Sequence, residues 1–147
     1  MSKELVINSI SGEVEIALME DGQLVELHRD QGSNGFAVGD IFLGRVRKVL
    51  PSLNAAFVDV GHERDAFLHY LDLGPYYRTQ QQYVKRVMQG KQPVADLGNF
   101  KREAEIDKRG KIKDEVSSSQ LVLVQVSKEP ISSKGPRLTA EVTLPGR

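Results

Sequence analysis

Residues Gly44 to Tyr70, GRVRKVLPSLNAAFVDVGHERDAFLHY, decide the fold. The run from Ile41 to Leu50 reads as a strand, and its second half, Arg45-Val46-Arg47-Lys48-Val49, is basic. Pro51-Ser52-Leu53-Asn54 reads as a turn, because proline suits a loop and not a strand centre. Ala55 to Val60 is a second strand and Asp65 to Leu68 a third, separated by a charged turn. Gly44 inside the first strand predicts a bulge or a sharp bend, as small closed barrels need. Period-two alternation places Ala56, Val58 and Val60 on a core face and Ala55, Phe57 and Asp59 on the opposite one. Phe57 is therefore expected to point outward. Phe67 lies between Ala66 and Leu68, and patterning fits it equally to core or to surface.

Upstream, Glu4 to Ile10, Glu13 to Met19 and Gln23 to His28 alternate as three strands of a meander, with Asp21-Gly22 as a tight-turn signal. The polar connector Gln31 to Gly35 marks a boundary, so residues 1–34 are expected to form one segment and 35–137 the barrel. Downstream, Arg78 to Gly90 is helical by pattern, with Tyr83, Val84, Val87 and Met88 on one face. Phe100 to Glu115 is highly charged and reads as a short solvated helix broken at Gly110, or as a mobile loop. Residues from about 75 to 118 are too long for a plain connection, and are taken as an insertion with structure of its own. Gln120 to Ser127 is the clearest strand in the chain, and Arg137 to Leu144 reads as the last. Five short strands from Ile41, with a bent first strand and an interruption after the third, predict a mainly β protein built on a five-stranded OB-type barrel.

The 147 residues carry twenty bases and twenty acids, so net charge alone gives no signal for a polyanionic partner. The distribution is uneven. Residues 1–34 hold seven acids and two bases, whereas residues 75–115 hold ten bases and six acids, so any anion-binding face belongs beyond the first hairpins. The absence of cysteine excludes disulfides and thiolate metal sites and is compatible with a reducing, cytoplasmic setting. No run approaches the eighteen apolar residues of a membrane span, and MSKELVINSI does not read as a signal peptide.

Chemistry that could act on a substrate is sparse. No Ser-His-Asp arrangement, phosphate-binding glycine loop or pair of acids at metal-ligand spacing is present, so no catalytic residue and no metal ligand is assigned. His28, His62 and His69 are too scattered for a metal set. What the pattern offers is a binding face. Exposed aromatic rings on a barrel stack the bases of single-stranded nucleic acid, which makes Phe57 and Phe67 the leading candidates. His69, at the end of the third strand, could contact a base or a phosphate, or be a structural histidine. Lys134-Gly135-Pro136-Arg137 sets two cations at a loop-to-strand junction, either as a solvated turn or as a phosphate clamp. Arg45, Arg47 and Lys48 in the first barrel strand could add to it. The charge run Lys101 to Lys113 reads as a solvated face.

These residues resemble a known family. GRVRKVLPSLNAAFVDVGHERDAFLH is similar to the S1-type RNA-binding domain of the bacterial ribonuclease E/G family, and P-S-L-N-A-A-F-V-D-V-G is much more specific than the generic domain pattern. QLVLVQVSKEPISSKGPRLTAEVTLPGR matches the same family, and A-F-L-H and K-G-P-R-L-T lean towards its shorter, ribonuclease G branch. The resemblance spans the chain except about residues 75–118. It implies single-stranded RNA binding through Phe57, Phe67 and Lys134, with His69 matching a histidine common in S1 domains. It implies that residues 1–34 and the strand in 138–147 belong to a ribonuclease-H-like subdomain flanking the barrel. Gly146 falls where a backbone contact to a substrate 5′ phosphate is expected. The family's magnesium-binding catalytic acids and its zinc-sharing cysteines have no counterpart here, so the chain is expected to bind RNA within a larger endoribonuclease and not to cut it alone. The other reading is a module for protein–protein contact or self-association.

Overall fold

The computed structural model describes residues 1–30, 35–92 and 97–145. They form two compact units, Met1–Gly35 and Phe36–Arg147.

The first unit is a three-stranded antiparallel sheet of β1 (Lys3–Ile10), β2 (Glu13–Glu20) and β3 (Gln23–Asp30), in the order β1-β2-β3. The turn at Asp21-Gly22 uses a positive φ at both residues, as the Asp-Gly pair predicts. Leu5 stands opposite Leu18 and Ile7 opposite Ile16, while a register shift at Leu18/Met19 bends the β2–β3 pairing. No residue of Met1–Asp30 is buried.

The second unit is a closed barrel of β4 (Ile41–Leu50), β5 (Ala55–Asp59), β6 (Ala66–His69), β7 (Leu121–Lys128) and β8 (Arg137–Thr139), in the order β4-β5-β6-β8-β7. The barrel is mixed, since β6 and β8 run parallel while the other pairs are antiparallel. The bend expected at Gly44 is where β4 changes partner. Its Ile41–Arg45 half pairs with β7, and its Arg45–Leu50 half pairs with β5 through a register shift at Val46/Lys48. A Cβ on Gly44 would lie 2.6 Å from Val58 Cγ1 and 3.1 Å from the Asp59 carbonyl oxygen, so only glycine lets the strands cross this closely.

The inward faces of the strands supply the core: Val46, Ala56, Val58, Ala66, Leu68, Val122, Val124, Val126 and Leu138. The final strand ends at Thr139, shorter than the Arg137 to Leu144 pattern suggests, because Arg137 to Leu138 is the length that pairs with β6. Leu138 and Ala140, in the stretch expected to return to a flanking subdomain, are buried in this barrel core.

The insertion departs most from its sequence reading. Helix α1 is Tyr77–Met88, one residue earlier than expected, and it buries Tyr77 and Val84, one heptad apart. Met88, expected on the apolar face, is exposed. In the charged run only α2 (Ile112–Glu115) is helical, and it is not a solvated piece, since Ile112 and the following Val116 lie in the core. The coil before it is tied to the barrel. The Tyr70 hydroxyl donates to the Asp107 carbonyl, the Ile106 N–H to the Pro75 carbonyl (3.1 Å), and the Asn54 side-chain amide to the Gly110 carbonyl (3.2 Å). Asn54 also accepts the Ile112 N–H at 2.7 Å, and Arg78 forms an ion pair with Glu115 (2.5 Å) that raises the guanidinium's already high pKa. Among the described residues no helix is long and apolar enough to cross a membrane.

Candidate nucleic-acid interface

The strand registers bring five side chains into one line across the outside of the barrel. Lys48 in β4 pairs with Phe57 in β5, Phe57 with Phe67 in β6, Phe67 with Arg137 in β8, and Arg137 with Lys128 in β7. Residues directly opposite in neighbouring strands share a face, so two aromatic rings are flanked by cations on both sides. The Phe57 and Phe67 ring centroids are 6.1 Å apart at 66°, an edge-to-face pair. Both rings are half-buried, while their strand neighbours Ala56, Val58, Ala66 and Leu68 are fully buried. Phe67, which patterning left between core and surface, therefore sits on the outward face. So does Phe57, although Ala55, expected to share that face, is itself fully buried.

A groove of about 770 Å³ opens over this pair, lined also by Arg64, Lys128, Lys134 and Arg137. Two local features bring Lys134 to it. Ile131 and Lys134 exchange backbone hydrogen bonds (3.2 and 2.9 Å) across a turn with a positive φ at Ser132. Gly135 then passes against the loop between β5 and β6: a Cβ there would lie 2.2 Å from the Asp65 carbonyl oxygen and 2.8 Å from that of Arg64. The sequence suggests that this glycine clears room for a phosphate. The room is taken by the protein's own backbone, and the effect is to bring Lys134 and Arg64 to one groove.

The remaining cations are less free than their sequence suggests. Arg47 donates to the Asp59 carboxylate at 2.7 Å and lies 3.8 Å from Asp65. Asp59 also accepts the Gly61 N–H at 2.9 Å, and this backbone bond, followed by Arg47, holds its carboxyl below the usual carboxylate range. Arg45 donates to the Ser119 carbonyl at 3.1 Å. Arg137 lines the groove but is paired with Asp72 at 2.9 Å. Among the described residues, Lys48, Arg64, Lys128 and Lys134 have no carboxylate partner. Lys128 and Arg64 were not singled out from the sequence. Period-two alternation puts Lys128 in phase with the buried Val122, Val124 and Val126, and only the register shift at Val126/Lys128 sets it opposite Arg137.

His69 stands beside Phe67, with ring centroids 6.4 Å apart, and its Nδ1 accepts the Leu71 N–H at 3.0 Å, capping the turn after β6. It thus fills the structural role weighed for it while keeping one ring edge on the aromatic row. Gly146 lies outside the described residues. Among the described residues no group of three His, Asp or Glu is arranged to hold a metal ion.

No family model matches the chain. Over all 147 residues the chain is 35% identical to ribonuclease G of Escherichia coli K12, and it spans 26% of that protein's length. It is 35% identical over 144 residues to ribonuclease G of Haemophilus influenzae, again covering 26% of the relative. It is 37% identical over 148 aligned residues to ribonuclease E of Synechocystis, of which it covers 17%. The chain thus spans about a quarter of the length of the first relatives it matches.

Proposed function

Because this chain belongs to the ribonuclease E/G family, we propose that its barrel is an S1-type module that binds single-stranded RNA and presents it to a catalytic part outside these 147 residues. The whole protein would be a cytoplasmic endoribonuclease of RNA processing and decay. Magnesium and zinc chemistry would belong to the parts this chain lacks, and Met1–Gly35 to a ribonuclease-H-like subdomain.

The observation that carries the reading is the row Lys48, Phe57, Phe67, Arg137, Lys128. Rings stack bases of any sequence because every base has a π-face, and the flanking cations neutralise phosphates on either side. Lys134 and Arg64 extend the cationic edge along the groove. With net charge zero, affinity must come from this local face and must fall with salt. Engagement of about three cations predicts a slope near about −2 in log K against log salt for a single strand.

The test is fluorescence anisotropy with unstructured and duplex RNA. The Phe57→Ala/Phe67→Ala variant should bind the single strand about 100-fold more weakly, since each stack is worth about 1–3 kcal/mol. A folded double variant that binds as well as the wild type overturns the reading. A second reading, self-association, draws on the exposed Leu5, Ile7 and Val25 of the N-terminal sheet. Light scattering that finds only monomer across a concentration series refutes it.

A further inference from the structure

A second set of rings and guanidinium groups lies in the insertion, where no sequence pattern assigned a role. Tyr76, Thr79, Gln80, Tyr83, Phe100 and Arg102 line a groove of about 430 Å³. Tyr83 and Phe100 meet edge-to-face with centroids 5.6 Å apart. The Arg86 guanidinium lies 5.8 Å from the Phe100 centroid, and that of Arg102 lies 6.0 Å from the Tyr76 centroid.

Anchoring of the coil explains part of this cluster. Phe100 against Tyr83 holds the coil to α1, and so do the bonds between Thr79 Oγ1 and the Glu103 backbone. It does not explain Tyr76, whose side chain is outside the core and 55% exposed, with an exposed arginine over its ring. Charge points the same way. From 75 to 92 the chain has Arg78, Lys85, Arg86 and Lys91 and no acid. Arg78 is taken by Glu115, but among the described residues no carboxylate pairs with Arg86 or Arg102. Glu103, next to Arg102 in sequence, lines a different groove together with Arg78 and Glu115. An aromatic groove bordered by guanidinium groups that no carboxylate among the described residues pairs suits a ligand that is polyanionic and carries flat apolar faces.

We propose that this groove is a second stacking site for single-stranded RNA, in which an unpaired base lies against Tyr76 and Phe100 while Arg86 and Arg102 take backbone phosphates. The proposal rests on the barrel being an RNA-binding module, and it adds a site that lengthens the strand the chain can hold.

The test uses the 147-residue chain and labelled oligouridines of about 6 and about 20 nucleotides, one too short and one long enough to engage two sites. The Tyr76→Ala/Arg102→Ala variant changes two exposed side chains outside the core. It should bind the longer strand about tenfold more weakly and the shorter one within about twofold of wild type. Its salt slope for the longer strand should be shallower by about 0.7. Unchanged affinity for the longer strand refutes the second site and leaves the barrel reading standing. An equal loss at both lengths also refutes it, because the two clusters would then not be separate sites. If Phe57→Ala/Phe67→Ala keeps full affinity for the shorter strand, the barrel reading fails and this proposal fails with it.

Discussion

In the N-terminal sheet Leu5 and Ile7 are 63% and 61% exposed, whereas in the barrel Val58, Leu68 and Val122 are fully buried. The strands of both units are paired along hydrogen-bonded ladders, each unit with a register shift, and those of the sheet are longer than most in the barrel. The difference lies in what covers them. A barrel closes a sheet on itself, so each inward side chain meets others across the interior. Three strands in one layer satisfy their hydrogen bonds and leave both faces in water, which gives little stability by itself. Period-two lettering therefore builds a sheet, while burial requires a second layer.

The sharpest way to break this comparison is to truncate one apolar side chain in each unit. Leu138→Ala should cost about 2–5 kcal/mol in urea unfolding followed by circular dichroism, as expected for a fully buried leucine. Leu5→Ala should stay within about 0.5 kcal/mol. A large loss at Leu5 would mean that the sheet is covered in solution and that the contrast is false.

A smaller effect is expected at the glycines. Gly12 and Gly22 in the sheet's turns need a positive φ but have open space around a Cβ, whereas Gly44 is pressed against Val58. Gly44→Ala should cost about 1–3 kcal/mol by overpacking. Hydrogen exchange should show the loss in β4 and β5 amides. Unchanged protection there would mean that the strands can separate at no cost, against the geometry.

The smallest effect is a pH dependence within the barrel. The folded pKa of Asp59 lies below its ordinary value because the Gly61 N–H, and then Arg47, favour the charged carboxylate. A depressed folded pKa contributes stability that is complete above the unfolded value of about 3.9 and is lost as pH falls through the folded one. Wild type should exceed Asp59→Asn in melting temperature above about pH 4, and the two curves should converge below it. Curves that stay parallel through acid would show that the Asp59 bonds carry no net stability.

The first four barrel strands were legible within a residue or two from alternation alone, and so was the outward turn of Phe57, whereas the last strand was read five residues too long. The bend at Gly44 was legible too, because a glycine inside a β pattern signals close approach. The charged run of the insertion was misread for a definite reason. Its two anchors, Ile112 and Val116, stand among lysines and acids with no period to reveal them, and the backbone that carries them is tied down by Tyr70 and Asn54 from distant sequence. The candidate face was half legible. Phe57 and Phe67 stood out, but Arg45, Arg47 and Arg137 looked as available as Lys134 until Ser119, Asp59 and Asp72 were seen beside them.

Side-chain alternation is a local property of an extended chain, so residue order was sufficient to say which segments are strands and which side of each is apolar. Register, closure and the partner of each charge are settled between segments far apart in sequence, through one backbone approach at a time. Gly44 and Gly135 are where that happens in this chain. One lets β4 turn from β7 to β5, and the other lets the Lys134 turn lie against Asp65. From those two contacts follows the line of two rings between cations that no single stretch of the sequence contains.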